Sequence, residues 1–201
     1  MRMKPKLRAF IAIELPEKIQ GDIRNLQRAF ASHGLKIRWV TPVNLHLTIK
    51  FLGDIAPSEM ESLGRILSDT AAIHPMFDLL PQGIGVFPNI RRPRIIWAGI
   101  AGQTHILRFI WKSVENALVP LGFAAEKRPY RGHLTIGRVK THMDQGRLVT
   151  ALRTHQDFVS ESFIVKRLVM FKSELCPNGP VYTKLWEMPL GISTKHHANI
   201  S

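Results

Sequence analysis

The chain of 201 residues has little cysteine and no long hydrophobic run. Its one cysteine, Cys176, excludes an intrachain disulfide and a thiolate metal cluster, and this scarcity is typical of proteins in a reducing cytoplasm. The first apolar run, residues 9–13, is too short to cross a membrane or to form the core of a signal peptide. We therefore expect a soluble cytoplasmic protein without a membrane partner.

Acidic residues are also scarce. The chain carries 15 Asp and Glu against 28 Lys and Arg, which gives a formal net charge of +13. Such an excess favours a polyanionic partner, above all nucleic acid, although a basic surface without a specific partner is the alternative on charge alone. The positive charge is concentrated in two clusters, which consist of Arg91, Arg92 and Arg94, and of Lys127, Arg128, Arg131, Arg138 and Lys140.

Short apolar runs alternate with helical stripes along the chain, and hairpin connections outnumber long crossovers. The pattern predicts strands over residues 8–13, 36–40, 45–53, 77–88, 94–102, 131–139, 162–175 and 181–189. Helices are predicted after Pro16, over residues 58–73 and 104–122, and over 147–154. This mixture indicates an α+β class with largely antiparallel sheets. We expect one domain over residues 1–190 and a disordered polar tail over 191–201.

One tetrapeptide, His-Leu-Thr-Ile, occurs twice, beginning at His46 and at His133, 87 residues apart. On a strand, residues i and i+2 share a face, so His46 projects beside Thr48 and His133 beside Thr135. The Leu and Ile residues of each copy point to the opposite, buried face. If a pseudo-twofold axis relates the two halves, two imidazoles and two hydroxyls converge in one groove.

This set of groups suits the opening of a cyclic phosphodiester. The reaction needs a base for the attacking water and an acid for the leaving oxygen, and histidine can serve as either near neutral pH. The threonine hydroxyls can donate to the phosphate oxygens, and Arg138 could contact phosphate or stack on a base. No metal or cofactor is required. Structural histidines and a zinc site are the alternatives, but no Asp, Glu or Cys lies at ligand spacing around either motif.

The paired His-x-Thr motifs resemble those of the two-histidine phosphoesterase superfamily, in particular the RNA 2′,3′-cyclic phosphodiesterases, historically called 2′-5′ RNA ligases. The similarity extends over residues 7–190, in family order, through the segments RAFIAIELP, RWVTPVNLHLTIKFLG, GVFPNIRRPRIIWAGI, HLTIGR and GPVYTKLWEMPL. It implies a bilobal fold with two antiparallel sheets that face a central cleft, helices packed outside, and a pseudo-twofold internal duplication.

The resemblance also implies an activity and roles for individual residues. The activity is metal-free hydrolysis of a terminal 2′,3′-cyclic phosphate of RNA to a 2′-phosphate, with reversible 2′-5′ ligation. His46 would be the proton donor and His133 the proton acceptor, Thr48 and Thr135 would bind the phosphate, and Arg138 and Phe10 would bind the substrate. The first copy departs from symmetry, because Lys50 and Phe51 stand where Gly137 and Arg138 stand in the second. We expect a monomer without cofactor.

Two other functions stay open on the sequence. A related two-histidine phosphoesterase could act on ADP-ribose cyclic phosphate or on oligoadenylate. A basic RNA-binding module with structural histidines would bind RNA tightly without turnover.

Overall fold

The structure is a computed structural model that describes residues 6–139, 143–177 and 179–191. Lys140 of the second basic cluster and all but the first residue of the predicted tail lie outside the described residues. The nine strands among the described residues are β1 (Leu7–Glu14), β2 (Ile37–Trp39), β3 (His46–Ile55), β4 (Phe77–Phe87), β5 (Ile95–Gly102), β6 (His133–Val139), β7 (Phe163–Val165), β8 (Arg167–Cys176) and β9 (Gly179–Pro189). The four α-helices there are α1 (Glu17–Ala31), α2 (Met60–Ala72), α3 (Thr104–Leu118) and α4 (Gln145–Thr154).

The strands form one antiparallel sheet in the order β7-β4-β5-β6-β3-β1-β8-β9, with β2 added beside β6. The predicted α+β class is therefore confirmed. The two predicted sheets are the two lobes of this sheet, β7-β4-β5-β6 and β3-β1-β8-β9, which meet only through β3 and β6. At this junction, one residue pair is aligned between β3 and β6, namely Leu47 with Leu134.

The internal duplication is visible in the order of the elements. When the short strands β2 and β7 are left out, the units β1-α1-β3-α2-β4 and β5-α3-β6-α4-β8 have the same succession of strands and helices. The last strand of each unit lies in the other lobe, because β4 pairs with β5 and β8 pairs with β1. This exchange connects the lobes covalently and brings the two motif strands to the centre of the sheet.

Two apolar clusters lie on opposite faces of the sheet. The larger contains the buried faces of the helices together with Leu47, Ile49, Leu134 and Ile136, none more than 3% exposed. The amphipathic stripe of α3, for example, buries Ile110 and Val114 completely. A smaller cluster of Phe10, Ala12, Val169 and Phe171 lies on the other face, which we call the groove face. The larger cluster includes residues of both lobes, so burial on the helix side packs the two lobes together at the junction.

One prediction from the sequence is wrong. The apolar run over residues 162–175 is not a single strand, because β7 pairs with β4 in one lobe and β8 pairs with β1 in the other. The chain crosses between lobes at Lys166, and periodicity alone cannot detect such a crossing. Within the described residues, no helix has both the length and the apolar character needed to span a bilayer.

Candidate active site

The two motif strands lie side by side at the junction of the lobes. In antiparallel register, the neighbours of the Leu47–Leu134 pair also face each other, so His46 lies across from Thr135 and Thr48 across from His133. All four polar side chains point to the groove face, opposite the two completely buried leucines. Strand dimensions put the two histidine Cα atoms about 8 Å apart, which leaves room for one phosphate between the rings.

Each imidazole is fixed by the backbone carbonyl two residues before it. The distance from Nδ1 to the carbonyl oxygen is 2.8 Å both for His46 with Asn44 and for His133 with Arg131. A carbonyl oxygen can only accept, so Nδ1 carries the proton and donates it in both rings. Nε2 of each ring is therefore the atom that can take up or release a proton toward the groove.

The loop before His46 is itself anchored. The side-chain amide of Asn44 donates to the carbonyl of Pro180 in β9 at 2.8 Å. The carbonyl that orients His46 thus has a fixed position relative to the far edge of its lobe.

Aromatic rings flank both histidines. The ring centroid of His46 lies 4.8 Å from that of Phe10 and 5.3 Å from that of Tyr182, which meets it edge-on. The ring of His133 meets Phe87 edge-on at 5.0 Å. These contacts restrict rotation of the imidazoles and keep water from one side of each ring.

Burial lowers the pKa of His46 below its ordinary value, because the charged form loses hydration. The Asn44 carbonyl opposes this shift by accepting a hydrogen bond, and the positive charge of Arg138 reinforces it. The free protein therefore holds His46 mainly as the neutral imidazole at pH 7. Burial likewise raises the pKa of Tyr182, so this phenol stays protonated beside it.

We expect His46 to titrate below about pH 6.5, the ordinary histidine value. Arg138→Gln should move its midpoint upward, because the variant removes a cation that disfavours the imidazolium, while Arg24→Gln on the outer side of α1 should not. Histidine side-chain NMR titrations of the three proteins would measure this. A His46 midpoint above 6.5, or one insensitive to Arg138, would contradict the described environment.

A β-bulge in each motif strand decides which residues beyond the motif reach the groove. Ile49 has no partner in the pairing of β3 with β1, and Ile136 has none in the pairing of β6 with β5. The two residues occupy equivalent positions after the two histidines. The extra residue reverses the alternation, so Lys50 turns to the helix side and is buried. The next residue of each strand, Phe51 or Arg138, turns to the groove face.

The structure brings Arg138 close to the motifs, as its effect on the pKa of His46 requires. It also places Arg38 of β2 directly opposite Arg138, and both residues are exposed. Like charges at a directly paired position repel each other, which makes this spot favourable for an anion. Arg38 was not identified from the sequence, since nothing in its neighbourhood indicates that β2 pairs with β6.

Phe10 lies on the groove face but is only 3% exposed. Its ring is covered by His46, Phe171 and Tyr182, at centroid distances between 4.8 and 5.3 Å. It therefore supports the His46 ring and has little surface to offer a nucleobase. Phe51, 68% exposed and 6.1 Å from Phe10, is the aromatic ring that is accessible on this side.

Two buried contacts hold the connection between α3 and β6, which leads into His133. Tyr130 donates its hydroxyl to the carbonyl of Thr48 at 2.9 Å and stacks on Trp111. Lys50 donates to Glu115 at 2.8 Å and to the carbonyl of Ala124 at 2.7 Å. The strand that carries one histidine thus positions the segment that carries the other.

Sequence reasoning missed Tyr182, Phe87, Arg38 and Phe51, since all four come to the groove only through strand pairing or a bulge. The described residues contain no group of three or more His, Cys, Asp or Glu arranged to hold a metal ion.

Comparison with known proteins shows the family of the chain. The family described as LigT-like phosphoesterase matches residues 13–97 and 104–182. The chain is 38% identical over 181 residues to an RNA 2′,3′-cyclic phosphodiesterase of Methanocaldococcus jannaschii, covering 90% of this chain and 99% of that protein. It is 32% identical over 180 residues to the protein of the same name from Methanothermobacter thermautotrophicus, covering 90% and 97% of the two chains.

Solved structures show the same fold. The TT0787 protein of Thermus thermophilus is 25% identical, with a TM-score of 0.75 over 92% of this chain and 98% of that one. Escherichia coli LigT complexed with 3′-AMP is 23% identical, with a TM-score of 0.73 over 92% of this chain and 99% of that one. Since sequence matches span both lobes and include both motifs, the chain belongs to the LigT-like phosphoesterase family.

Proposed function

We propose that this protein hydrolyses the terminal 2′,3′-cyclic phosphate of RNA to a 2′-phosphate. The observation that carries the proposal is the pairing of β3 with β6, which sets two histidines and two threonines around one space for a phosphate. Relatives that share most of this chain's length are named RNA 2′,3′-cyclic phosphodiesterases, which supports the same substrate class.

In the proposed reaction, Nε2 of His133 takes a proton from water while the water oxygen attacks phosphorus. The bond from phosphorus to O3′ breaks, and Nε2 of His46 gives its proton to O3′, so the phosphate stays on O2′. The hydroxyls of Thr48 and Thr135 donate to the nonbridging oxygens, whose negative charge must be stabilised in the transition state. A positioned acid and a positioned base typically accelerate such a reaction by roughly 10²-fold to 10⁴-fold each.

The lowered pKa of His46 bears on its role as the acid. The group must be protonated to act, so its active fraction in the free enzyme falls as the pH rises through the lowered pKa. A bound anionic phosphate raises the pKa again, since an opposite charge close by favours the imidazolium. We therefore expect the alkaline limb of kcat to lie at a higher pH than that of kcat/KM.

Arg138 and Arg38 would hold phosphate oxygens at the His46 end of the groove. Phe51 would offer its exposed ring to a nucleobase, and Phe10 would keep the His46 ring in place from beneath. The assignment of Phe10 as a direct base contact remains a prediction from the sequence. Ligation would use the same groups in the same way, with a ribose 5′-hydroxyl in place of water and a 2′-5′ linkage as the product.

The decisive experiment is incubation with uridine 2′,3′-cyclic phosphate, with the product identified by ³¹P NMR. We expect uridine 2′-phosphate as the sole product. Formation of the 3′-phosphate would contradict the assignment of the leaving oxygen. Turnover of ADP-ribose cyclic phosphate or of oligoadenylate at much higher kcat/KM would favour a different substrate in the same site.

The same assay in EDTA tests the proposed chemistry. We expect full activity, because two imidazoles supply the acid and the base and two hydroxyls supply the phosphate contacts. Loss of activity in EDTA that returns with added zinc or manganese would overturn it.

Salt dependence separates the chemistry from RNA binding. Affinity for a longer RNA should fall steeply with salt, because the basic clusters displace counterions from the RNA phosphates when it binds. Turnover of the cyclic mononucleotide should change much less. The measurement is kcat/KM and Kd across a series of KCl concentrations. Equal salt sensitivity for both substrates would contradict a phosphate-binding surface outside the groove.

A further inference from the structure

The ladder between the two motif strands is short. β3 pairs with β1 over the full length of both strands, and β6 pairs with β5 and β2 on its two sides. Between β3 and β6 themselves, one residue pair, Leu47 with Leu134, is aligned. Main-chain bonds between these two strands therefore constrain their relative position weakly, and contacts outside the ladder matter for the spacing of the two motifs.

Tyr130 supplies such a contact. It lies three residues before His133, and its hydroxyl donates to the backbone carbonyl of Thr48 at 2.9 Å. Thr48 is the residue that antiparallel register puts across from His133. The bond therefore joins the segment that leads into one motif to the backbone of the other motif.

The ring of Tyr130 is held on the helix side of the sheet. It stacks on Trp111 of α3, with ring centroids 5.4 Å apart and an interplanar angle of 17°. A Cβ at Gly132 would lie 3.1 Å from Cδ2 of Leu107 and 3.6 Å from Cε1 of Tyr130, so the glycine leaves room for this packing. Burial also raises the pKa of Tyr130, because a phenolate would lose its hydration. The hydroxyl therefore stays a donor over the pH range in which histidines titrate.

The position of Tyr130 bears on the orientation of one imidazole. The next residue is Arg131, whose carbonyl accepts from Nδ1 of His133 at 2.8 Å. The carbonyl that orients His46 belongs to Asn44, whose side-chain amide is bonded to β9 of the same lobe. Each orienting carbonyl thus has a polar side chain as its anchor, but the anchor for His133 crosses the junction to the other motif strand.

From these contacts, we propose that Tyr130 is a positioning residue for the reaction. Its bond to the Thr48 carbonyl fixes the backbone at Arg131, and through it the ring of His133, relative to the phosphate position. The ring of Tyr130 lies on the helix side, so it acts through His133 and not on the phosphate. This inference rests on the proposed function for the reaction that His133 serves.

The test uses Tyr130→Phe, which removes the hydroxyl and keeps the ring that stacks on Trp111. The matched control is Ser160→Ala, which removes a buried hydroxyl that donates to Asp22 at 2.6 Å, in the connection between α4 and β7. A hydrogen bond to a carboxylate contributes at least as much stability as one to a carbonyl, so the control matches the loss of stability. Asn44→Ala is the reciprocal variant, because it removes the anchor on the His46 side.

Kinetics with uridine 2′,3′-cyclic phosphate measure the effect on the reaction. We expect Tyr130→Phe to lower kcat roughly tenfold and to change KM by less than about twofold. A base that is not held in place spends less time in the productive geometry, and a factor of about ten corresponds to the contribution of one hydrogen bond. Ser160→Ala should keep kcat within about twofold of the wild type.

The ¹⁵N NMR shifts of the imidazole rings, at a pH at which the rings are neutral, measure the orientation directly. In the wild type, both rings should be the tautomer with the proton on Nδ1, because each Nδ1 donates to a carbonyl. Tyr130→Phe should move the shifts of His133 toward a mixture of the two tautomers and leave those of His46 in place. Asn44→Ala should have the reverse effect.

Three results would each overturn the proposal, namely an unchanged kcat in Tyr130→Phe, a fall in kcat that Ser160→Ala shares, and unchanged ring shifts of His133 in Tyr130→Phe. Equal changes of both rings in Tyr130→Phe and Asn44→Ala would also overturn it, since they would indicate a general loosening of the sheet. If the wild type does not hydrolyse the cyclic mononucleotide, the proposed function fails, whereas the ring shifts still decide whether Tyr130 holds His133.

Discussion

Alanine in place of His46 or of His133 is expected to lower kcat for uridine 2′,3′-cyclic phosphate by roughly 10²-fold to 10⁴-fold. Each variant removes the motif imidazole on one side of the proposed phosphate position, while the hydroxyls of Thr48 and Thr135 remain. The double alanine variant should lose less than the product of the two single losses, because either loss already disables the path that needs both groups. Thr48→Ala and Thr135→Ala should each cost less, since a hydroxyl stabilises charge without transferring the essential proton.

The controls for this result concern the fold. His46 contacts Phe10 and Tyr182, and glutamine fills more of the space of the imidazole than alanine does. His46→Gln should therefore be measured beside His46→Ala. The melting temperatures of His46→Gln and of His133→Gln should stay near that of the wild type, because the buried faces of β3 and β6 are formed by other residues. An unfolded His46→Gln protein, or wild-type turnover in either variant, would show that the repeat is structural and would favour the RNA-binding module.

The second large effect is expected at Lys50, whose side chain is only 9% exposed and pairs with Glu115. Lys50→Met should lower the free energy of unfolding by about 3 to 5 kcal/mol, because it leaves the Glu115 carboxylate buried without its cation. Oε1 of Glu115 already has no partner among the described residues, and Oε2 would keep only the amide of Glu126. Urea denaturation would measure the loss.

Two comparisons make the Lys50 result specific. The double variant Lys50→Met with Glu115→Gln should recover much of the loss, since a neutral amide still accepts from Glu126 without a buried charge. Arg65→Met breaks the exposed pair with Glu61 on α2 and should change stability by less than about 0.5 kcal/mol. A Lys50→Met loss as small as that of Arg65→Met would show that the buried pair does not hold the segment before His133.

The sequence by itself determined the class of the fold and predicted the four polar side chains at the centre of the candidate site. Period-2 alternation in two copies of His-Leu-Thr-Ile is a local property, because strand geometry alone puts each histidine beside its threonine and opposite buried leucine. The spacing of the copies indicated two related halves, and β3 and β6 are their equivalent strands.

The tertiary structure decided which further residues reach the groove. The bulges at Ile49 and Ile136 turn Phe51 and Arg138 to the groove face, where uninterrupted alternation would have buried them. The exchange of β4 and β8 between lobes divides an apolar run into β7 and β8 and buries Phe10 under Phe171. Tyr182 reaches His46 from far along the chain only because β9 closes the lobe. Pairing partners and bulges depend on packing between distant segments, and no local period in the sequence records them.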